Sequence, residues 1–144
     1  MEANGNLDER VLFHGTQMES AVKGIFHHNF DVRCYGVNNF VYGKGIYFAV
    51  CAGLSDRYAY NPQRKRNWMF MARVLVGKCE VGKREYSRPP PRDPFRPYAE
   101  LYDSCVDYTF SPKLFVIFDS DQCYPDYVIG YADATEPDSD PEAL

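Results

Sequence analysis

The sequence has no long apolar run and no excess of positive charge. None of its apolar stretches approaches the roughly 18 consecutive residues that a membrane-spanning helix needs. The formal net charge is −4, whereas general nucleic-acid binders carry a marked basic excess. The N-terminal run MEANGNLDER is polar and acidic, unlike a secretory signal. We therefore expect no membrane partner, and nucleic acid is not the partner that the composition favours.

Cysteine and histidine are too few and too scattered for a metal site or a disulfide framework. The five cysteines include no Cys-x-x-Cys pair, and none of the three histidines has ligand spacing to a cysteine. An odd number of separate cysteines is typical of reduced thiols, as found in the cytosol or the nucleus. The pattern predicts no metal, and of the two compartments we expect the cytoplasm.

Apolar and aromatic residues are sufficient for one domain with a real core. They make up 45% and 16% of the 144 residues, respectively. We expect a flexible lead (residues 1–9), one domain (residues 10–131) and a disordered acidic tail (residues 132–144). Short apolar runs predict about five or six strands, and helical spacing predicts two short helices. The expected fold class is α+β with a mostly antiparallel sheet.

The predicted elements can be placed along the chain. A strand at residues 11–13 ends in a tight turn at His14-Gly15-Thr16, and Thr16 with Glu19 forms a capping box for a helix that ends near residues 27–29. Further strands are predicted at residues 46–49, 68–77, 114–118 and 127–131, with an edge at 78–84 and a helix at 51–60. Residues 101–108 are ambiguous. The proline-rich residues 88–97 form a surface loop, because proline does not fit a central strand.

The stretch Tyr42–Tyr58 combines a glycine turn, a buried strand and a short helix. Ser55 and Tyr58 are three positions apart, so a hydroxyl and an aromatic ring share one face of that helix. Such a face suits a planar ligand, although an ordinary turn, strand and helix is the alternative interpretation. The glycines match neither the dinucleotide-binding fingerprint nor the P-loop.

Several separated motifs together carry a family resemblance. His14-Gly15-Thr16 follows an apolar strand, YGKGIYFA begins at Tyr42, and LFVIF begins at Leu114. With ARVLVG and YDSCVD, they resemble the catalytic domain of the poly(ADP-ribose) polymerase (PARP) family, the diphtheria-toxin-like ADP-ribosyltransferases. The resemblance extends from Asp8 to Tyr131 and is closest to the mono-ADP-ribosylating branch. Within it, the small interferon- and virus-induced PARP-like proteins of fish are the most similar.

The resemblance implies that NAD is the substrate, and it gives roles to matched residues. His14 corresponds to the histidine that hydrogen-bonds a ribose hydroxyl of NAD, and Gly15 to the glycine whose backbone pairs with the nicotinamide amide. Ser55 corresponds to the serine that bonds the carboxamide, and Tyr58 to the tyrosine that stacks on the nicotinamide ring. The implied NAD contacts are His14, Gly15, Thr16, Tyr47, Phe48, Ser55 and Tyr58, and the implied catalytic positions are His14, Tyr47 and Leu114.

Leu114 departs from the pattern of the polymerising members, which carry a glutamate at this position. Leucine cannot stabilise positive charge at the ribose or activate an acceptor hydroxyl. The resemblance therefore implies mono-ADP-ribosylation of a protein acceptor in interferon-linked antiviral defence. A catalytically inactive binding module on the same fold is the alternative, and an RNA-contacting factor that uses the basic residues 64–66 is a third hypothesis.

The resemblance also implies a shortened split-sheet fold. Family domains carry a strand and a helix before the His-Gly-Thr strand, and this chain begins close to that strand. The uncovered sheet edge or face predicts a homodimer. The loop Asp31–Tyr42 corresponds to the family's donor loop, and the proline-rich loop is expected on the acceptor side.

Overall fold

The computed structural model describes residues 8–16, 19–31, 41–59 and 66–132, without the side chains of Glu19, Tyr58 and Ala59. Several predictions lie outside these residues: residues 1–7 of the lead, residues 133–144 of the tail, most of the donor loop, most of the basic loop, and the Glu19 side chain that the capping box requires. The described elements are β1 Glu9–Thr16, α1 Glu19–His28, β2 Ile46–Ala49, α2 Ala52–Ala59, β3 Asn67–Leu75, β4 Cys79–Val81, β5 Ser104–Val106, β6 Leu114–Ile117 and β7 Cys123–Tyr131.

The strands form one mixed sheet in the order β4-β5-β6-β2-β1-β3-β7. All neighbouring strands are antiparallel except β4 and β5, which are parallel. The α+β class, the mostly antiparallel sheet and the two short helices are thus confirmed. The expected number of five or six strands was wrong, because the described residues alone form seven. The three-residue strands β4 and β5 are too short to show a period.

The sheet is split between β1 and β2. Eight residues of β1, from Glu9 to Thr16, pair with β3, and all four residues of β2 pair with β6. Between β1 and β2, however, the register contains one residue pair, Phe13 with Ala49. The sheet therefore consists of two groups of strands, β4-β5-β6-β2 and β1-β3-β7, that meet at a single point.

The predicted turn at His14-Gly15-Thr16 was wrong. These residues are the last three of β1, and they pair in succession with Phe70, Met69 and Trp68 of β3. Glycine favours a turn only locally, whereas pairing with a whole neighbouring strand holds the segment extended. The side chain of His14 consequently projects from a strand in the interior of the sheet.

Other strand boundaries shift by a few residues. β3 lies between β1 and β7 and ends at Leu75, before the predicted limit, whereas β7 begins at Cys123 rather than at Tyr127. The structure tolerates Pro125 because β7 is an edge strand and its register with β3 shifts there. The earlier start of β7 extends the uninterrupted β1-β3-β7 part of the sheet.

The core lies on one face of the sheet, under α1. Ile25 and Phe30 pack there against Phe48 and Phe70, which are fully buried. The shorter helix α2 packs on β1, β2 and β3, and Asp56 accepts a hydrogen bond from Tyr131. Within the described residues, no helix is long and apolar enough to cross a membrane.

Candidate functional site

His14 connects the two parts of the sheet where the backbone pairing between them stops. Its side chain is only 6% exposed, and its Nδ1 lies 2.7 Å from the carbonyl oxygen of Tyr47 in β2. The imidazole packs edge-on against Phe30 at 5.2 Å and at a tilt against Phe48 at 5.6 Å, between ring centroids. These contacts fix the ring's orientation at the split.

The environment of His14 also fixes its protonation state. Burial lowers its pKa from 6.5 to about 4, opposed by the hydrogen bond to the Tyr47 backbone, so the ring is neutral at physiological pH. A carbonyl oxygen only accepts hydrogen bonds, so Nδ1 carries the proton and Nε2 carries the lone pair. Nε2 is therefore an acceptor, which suits a ribose hydroxyl.

Tyr47 shapes the turn that precedes β2. Its hydroxyl donates to the carbonyl oxygen of Gly43 at 2.7 Å and accepts from the backbone N–H of Tyr42 at 3.0 Å. At Gly45, a Cβ atom would lie 2.6 Å from the carbonyl oxygen of Ile117, so only glycine permits this approach to β6. The glycine turn before β2 thus has a packing reason independent of any ligand.

Ser55 is the described polar residue that most clearly suggests a ligand. It lies in α2, its backbone N–H donates to the Cys51 carbonyl at 3.2 Å, and its side chain is 2% exposed. Its Oγ has no hydrogen-bond partner among the described residues. A buried hydroxyl without a partner is costly, so a group that binds there would be favoured. The backbone of Tyr58 lies one turn later, and its ring is outside the described residues.

The remaining predicted NAD contacts lie close by. Gly15 and Thr16 continue β1 beyond His14, opposite Met69 and Trp68. Phe48 is fully buried and packs against His14, so it supports the imidazole from the core side. Gly15, Thr16 and Phe48 thus belong to β1 and β2, the two strands that meet at the split.

Leu114 begins β6, directly opposite Ala49, and is 8% exposed. Its backbone N–H donates to Oδ1 of Asp107 at 3.2 Å, and the N–H of Lys113 donates to the same oxygen at 3.1 Å. Sequence reasoning missed Asp107, although it lies in the YDSCVD motif. Its carboxylate fixes the start of β6, whereas the side chain of Leu114 supplies no charge to the site.

In the described part of the chain, no three His, Cys, Asp or Glu side chains form a group that could hold a metal ion. A family model for the poly(ADP-ribose) polymerase catalytic domain matches residues 1–133. The chain belongs to this family.

Relatives within the PARP family are named as mono-ADP-ribosyltransferases. The mouse protein mono-ADP-ribosyltransferase PARP11 is 42% identical over 144 aligned residues, covering 87% of this chain and 43% of that protein. The human protein mono-ADP-ribosyltransferase PARP12 is 42% identical, covering 96% of this chain and 19% of that protein. The mouse protein mono-ADP-ribosyltransferase PARP10 is 40% identical, with 84% and 12% covered. The chain spans less than half the length of these relatives.

Proposed function

We propose that this chain is an NAD-dependent protein mono-ADP-ribosyltransferase domain. The observation that carries the proposal is the buried, unpartnered hydroxyl of Ser55, where the resemblance expects the nicotinamide carboxamide. Neutral His14, with an acceptor nitrogen, supports it at the ribose, as do the names of the relatives.

In the proposed reaction, the bond between nicotinamide and the anomeric carbon of the ribose breaks, and the acceptor oxygen forms a new bond to that carbon. Positive charge develops on the ribose in an oxocarbenium-like transition state. Binding both ends of the reacting bond in fixed geometry supplies much of the rate. Because Leu114 offers no carboxylate, the acceptor's own carboxylate stabilises the charge, and transfer stops after one ADP-ribose.

Ser55→Ala tests the nicotinamide site without disturbing a known contact. The apo protein should keep or slightly gain stability, by up to about 1 kcal/mol, because an unsatisfied buried hydroxyl is removed. Nicotinamide and NAD should bind about tenfold more weakly in calorimetry, because one hydrogen bond is lost. The matched control is Ser20→Ala on the exposed side of α1.

Transfer itself is tested with labelled NAD and mass spectrometry of the modified protein. We expect additions of single ADP-ribose groups, reduced in Ser55→Ala. Longer chains would contradict the role given to Leu114. Absence of nicotinamide binding to the wild type would refute the proposed site.

A second candidate is an inactive binding module, which Leu114 favours because the site lacks its carboxylate. This protein would bind NAD, or only a protein partner, and would transfer nothing. Binding without labelling under any acceptor or buffer condition would select this alternative.

The biological setting is part of the proposal and rests on the resemblance. We place the protein in the cytoplasm, in interferon-linked antiviral defence. Induction of its transcript by interferon, and cytoplasmic staining, are the expected results. For the proposed homodimer, the exposed side chains Val11, Tyr124 and Tyr127 on β1 and β7 offer apolar surface. Light scattering that finds a monomer at high concentration would exclude it.

A further inference from the structure

The proline-rich loop presents two aromatic side chains that are almost completely exposed. Phe95 is 93% exposed and Tyr98 is 97% exposed, and Arg96 between them is exposed as well. Large aromatic side chains are usually at least partly buried, because they contribute much of the apolar area of a core. Two of them close together in one loop therefore indicate a surface that another molecule covers.

Two consecutive turns hold this part of the loop. The N–H of Arg96 donates to the carbonyl oxygen of Asp93 at 3.0 Å, and the N–H of Ala99 donates to that of Arg96 at 3.1 Å. Oδ1 of Asp93 also accepts from the N–H of Phe95 at 2.9 Å. The loop's own hydrogen bonds thus order residues 93–99, which we call the aromatic tip.

An arginine and an aspartate fix the base of the loop to the sheet. The guanidinium of Arg92 donates to the carbonyl oxygen of Leu101 at 2.9 Å. It also forms ion pairs with Glu100 at 3.0 Å and with Asp103 at 3.3 Å. Oδ2 of Asp103 accepts from the N–H of Lys78, the residue before β4, at 2.8 Å. The aromatic tip is therefore preorganised, and binding a partner there costs little ordering entropy.

The loop is basic, although the chain as a whole is acidic. Residues 83–98 carry five lysine and arginine side chains and two acidic ones, whereas the net charge of the chain is −4. Among the described residues, Arg88 and Arg96 take part in no ion pair. Exposed arginine next to aromatic rings suits a protein surface that combines carboxylates with apolar side chains.

The loop is a separate surface from the candidate site at the split. Its base meets the sheet at Asp103, immediately before β5, and β5 is antiparallel to β6. The start of β5 therefore lies level with the end of β6, whereas Leu114 is the first residue of β6. The base of the loop and Leu114 are thus about 10 Å apart along β6.

We propose that the aromatic tip is a docking site for the protein acceptor, which it binds through an acidic segment. Phe95 and Tyr98 pack against apolar side chains of that segment, and Arg96 faces its carboxylates. The inference rests on the proposed function, in which a carboxylate of the acceptor reacts at the ribose. A segment held at the tip raises the local concentration of such carboxylates. The substrate class is therefore acidic proteins.

Docking is tested without NAD, by fluorescence polarisation with a labelled random copolymer of glutamate and tyrosine as the probe. The wild type should bind the copolymer, and more weakly as the salt concentration rises. The double variant Phe95→Ala, Tyr98→Ala and the variant Arg96→Glu should each bind it at least about tenfold more weakly. Because the three side chains are exposed, nicotinamide binding should not change.

Matched controls change exposed groups of the same kind elsewhere. Phe26→Ala removes an aromatic ring from α1, Lys23→Glu reverses a charge on the same helix, and Arg66→Glu reverses a charge before β3. Each control should bind the copolymer as the wild type does. A loss in Lys23→Glu or Arg66→Glu as large as that in Arg96→Glu would show attraction without a defined site and overturn the inference.

Transfer gives a second measurement of the same interaction. With the copolymer as acceptor, the tip variants should raise the KM for the copolymer about tenfold. They should leave kcat and the KM for NAD near the wild-type values, because the tip contacts neither NAD nor the reacting atoms. A lower kcat with an unchanged KM for the copolymer would overturn the inference.

The outcomes separate the two proposals. A wild type that binds nicotinamide and NAD but not the copolymer would overturn the docking site and leave the proposed function intact. Tip variants that bind the copolymer as the wild type does would have the same meaning. A wild type that binds the copolymer at the tip but neither nicotinamide nor NAD would refute the proposed function and leave the tip as a docking surface for an acidic partner.

Discussion

Acidification should destabilise the domain through His14. The imidazole has a pKa of about 4 in the folded protein against an ordinary value of 6.5, because it is buried. Between these values the unfolded chain binds a proton that the folded protein does not. The contribution to stability is therefore fully present above the unfolded pKa and is lost as the pH falls towards the folded pKa.

The size of the effect follows from the pKa difference. Each pKa unit corresponds to about 1.4 kcal/mol, so the complete loss is about 3 kcal/mol. Between about pH 7 and pH 5 the same two pKa values give a loss of about 2 kcal/mol. Carboxylates also titrate near the lower end, so the diagnostic quantity is the difference between the wild type and a variant that lacks this imidazole.

His14→Gln is the suitable variant because the amide can still donate to the Tyr47 carbonyl but does not titrate. Urea unfolding at both pH values should show that the wild type loses about 2 kcal/mol more than the variant on acidification. His28→Gln removes an exposed imidazole and should behave as the wild type. Equal losses in the wild type and His14→Gln would refute the claim that His14 is buried and neutral.

Further substitutions test the close approach of Gly45 to β6 and the hydrogen bond between α2 and β7. Gly45→Ala should lower the free energy of unfolding by about 2 kcal/mol or more, because its Cβ would lie 2.6 Å from the Ile117 carbonyl oxygen. The control Gly53→Ala in α2 has open space around it and should raise the free energy of unfolding by about 0.5–1 kcal/mol. Similar urea midpoints for the two variants would contradict this expectation. Tyr131→Phe removes the hydrogen bond to Asp56 in α2 and should lower the free energy of unfolding by about 1–2 kcal/mol. It should also weaken nicotinamide binding, because Asp56 is next to Ser55 in the helix. Unchanged nicotinamide binding in calorimetry would show that this hydrogen bond does not position α2.

The local sequence was enough to predict those elements whose limits are marked by their own residues and immediate neighbours. The strand Ile46–Ala49 has its predicted limits, because an apolar run is bounded on one side by glycines that the packing requires. The extension of β1 through Thr16 could not be predicted in this way. It is held extended by pairing with β3, which comes after β2 and α2 in the sequence.

The candidate site shows the same division. Motif order selected His14 and Ser55 as candidates, and both side chains are buried in the structure. The hydrogen bond from Tyr131 to Asp56 joins residues 75 positions apart, and no local sequence pattern predicts it. The role of Asp107 likewise depends on a loop that returns its carboxylate to the start of β6.

The split in the sheet has a consequence for how the chain is connected. The β1-β3-β7 group and the β4-β5-β6-β2 group are interleaved along the sequence. The chain passes from one group to the other four times, at β1–β2, β2–β3, β3–β4 and β6–β7. Neither group can be removed as an independent subdomain, and separation of the groups is opposed by every one of these connections. The two groups of strands are therefore expected to keep their relative positions, and any rearrangement at the split is expected to involve side chains and loops at its edge.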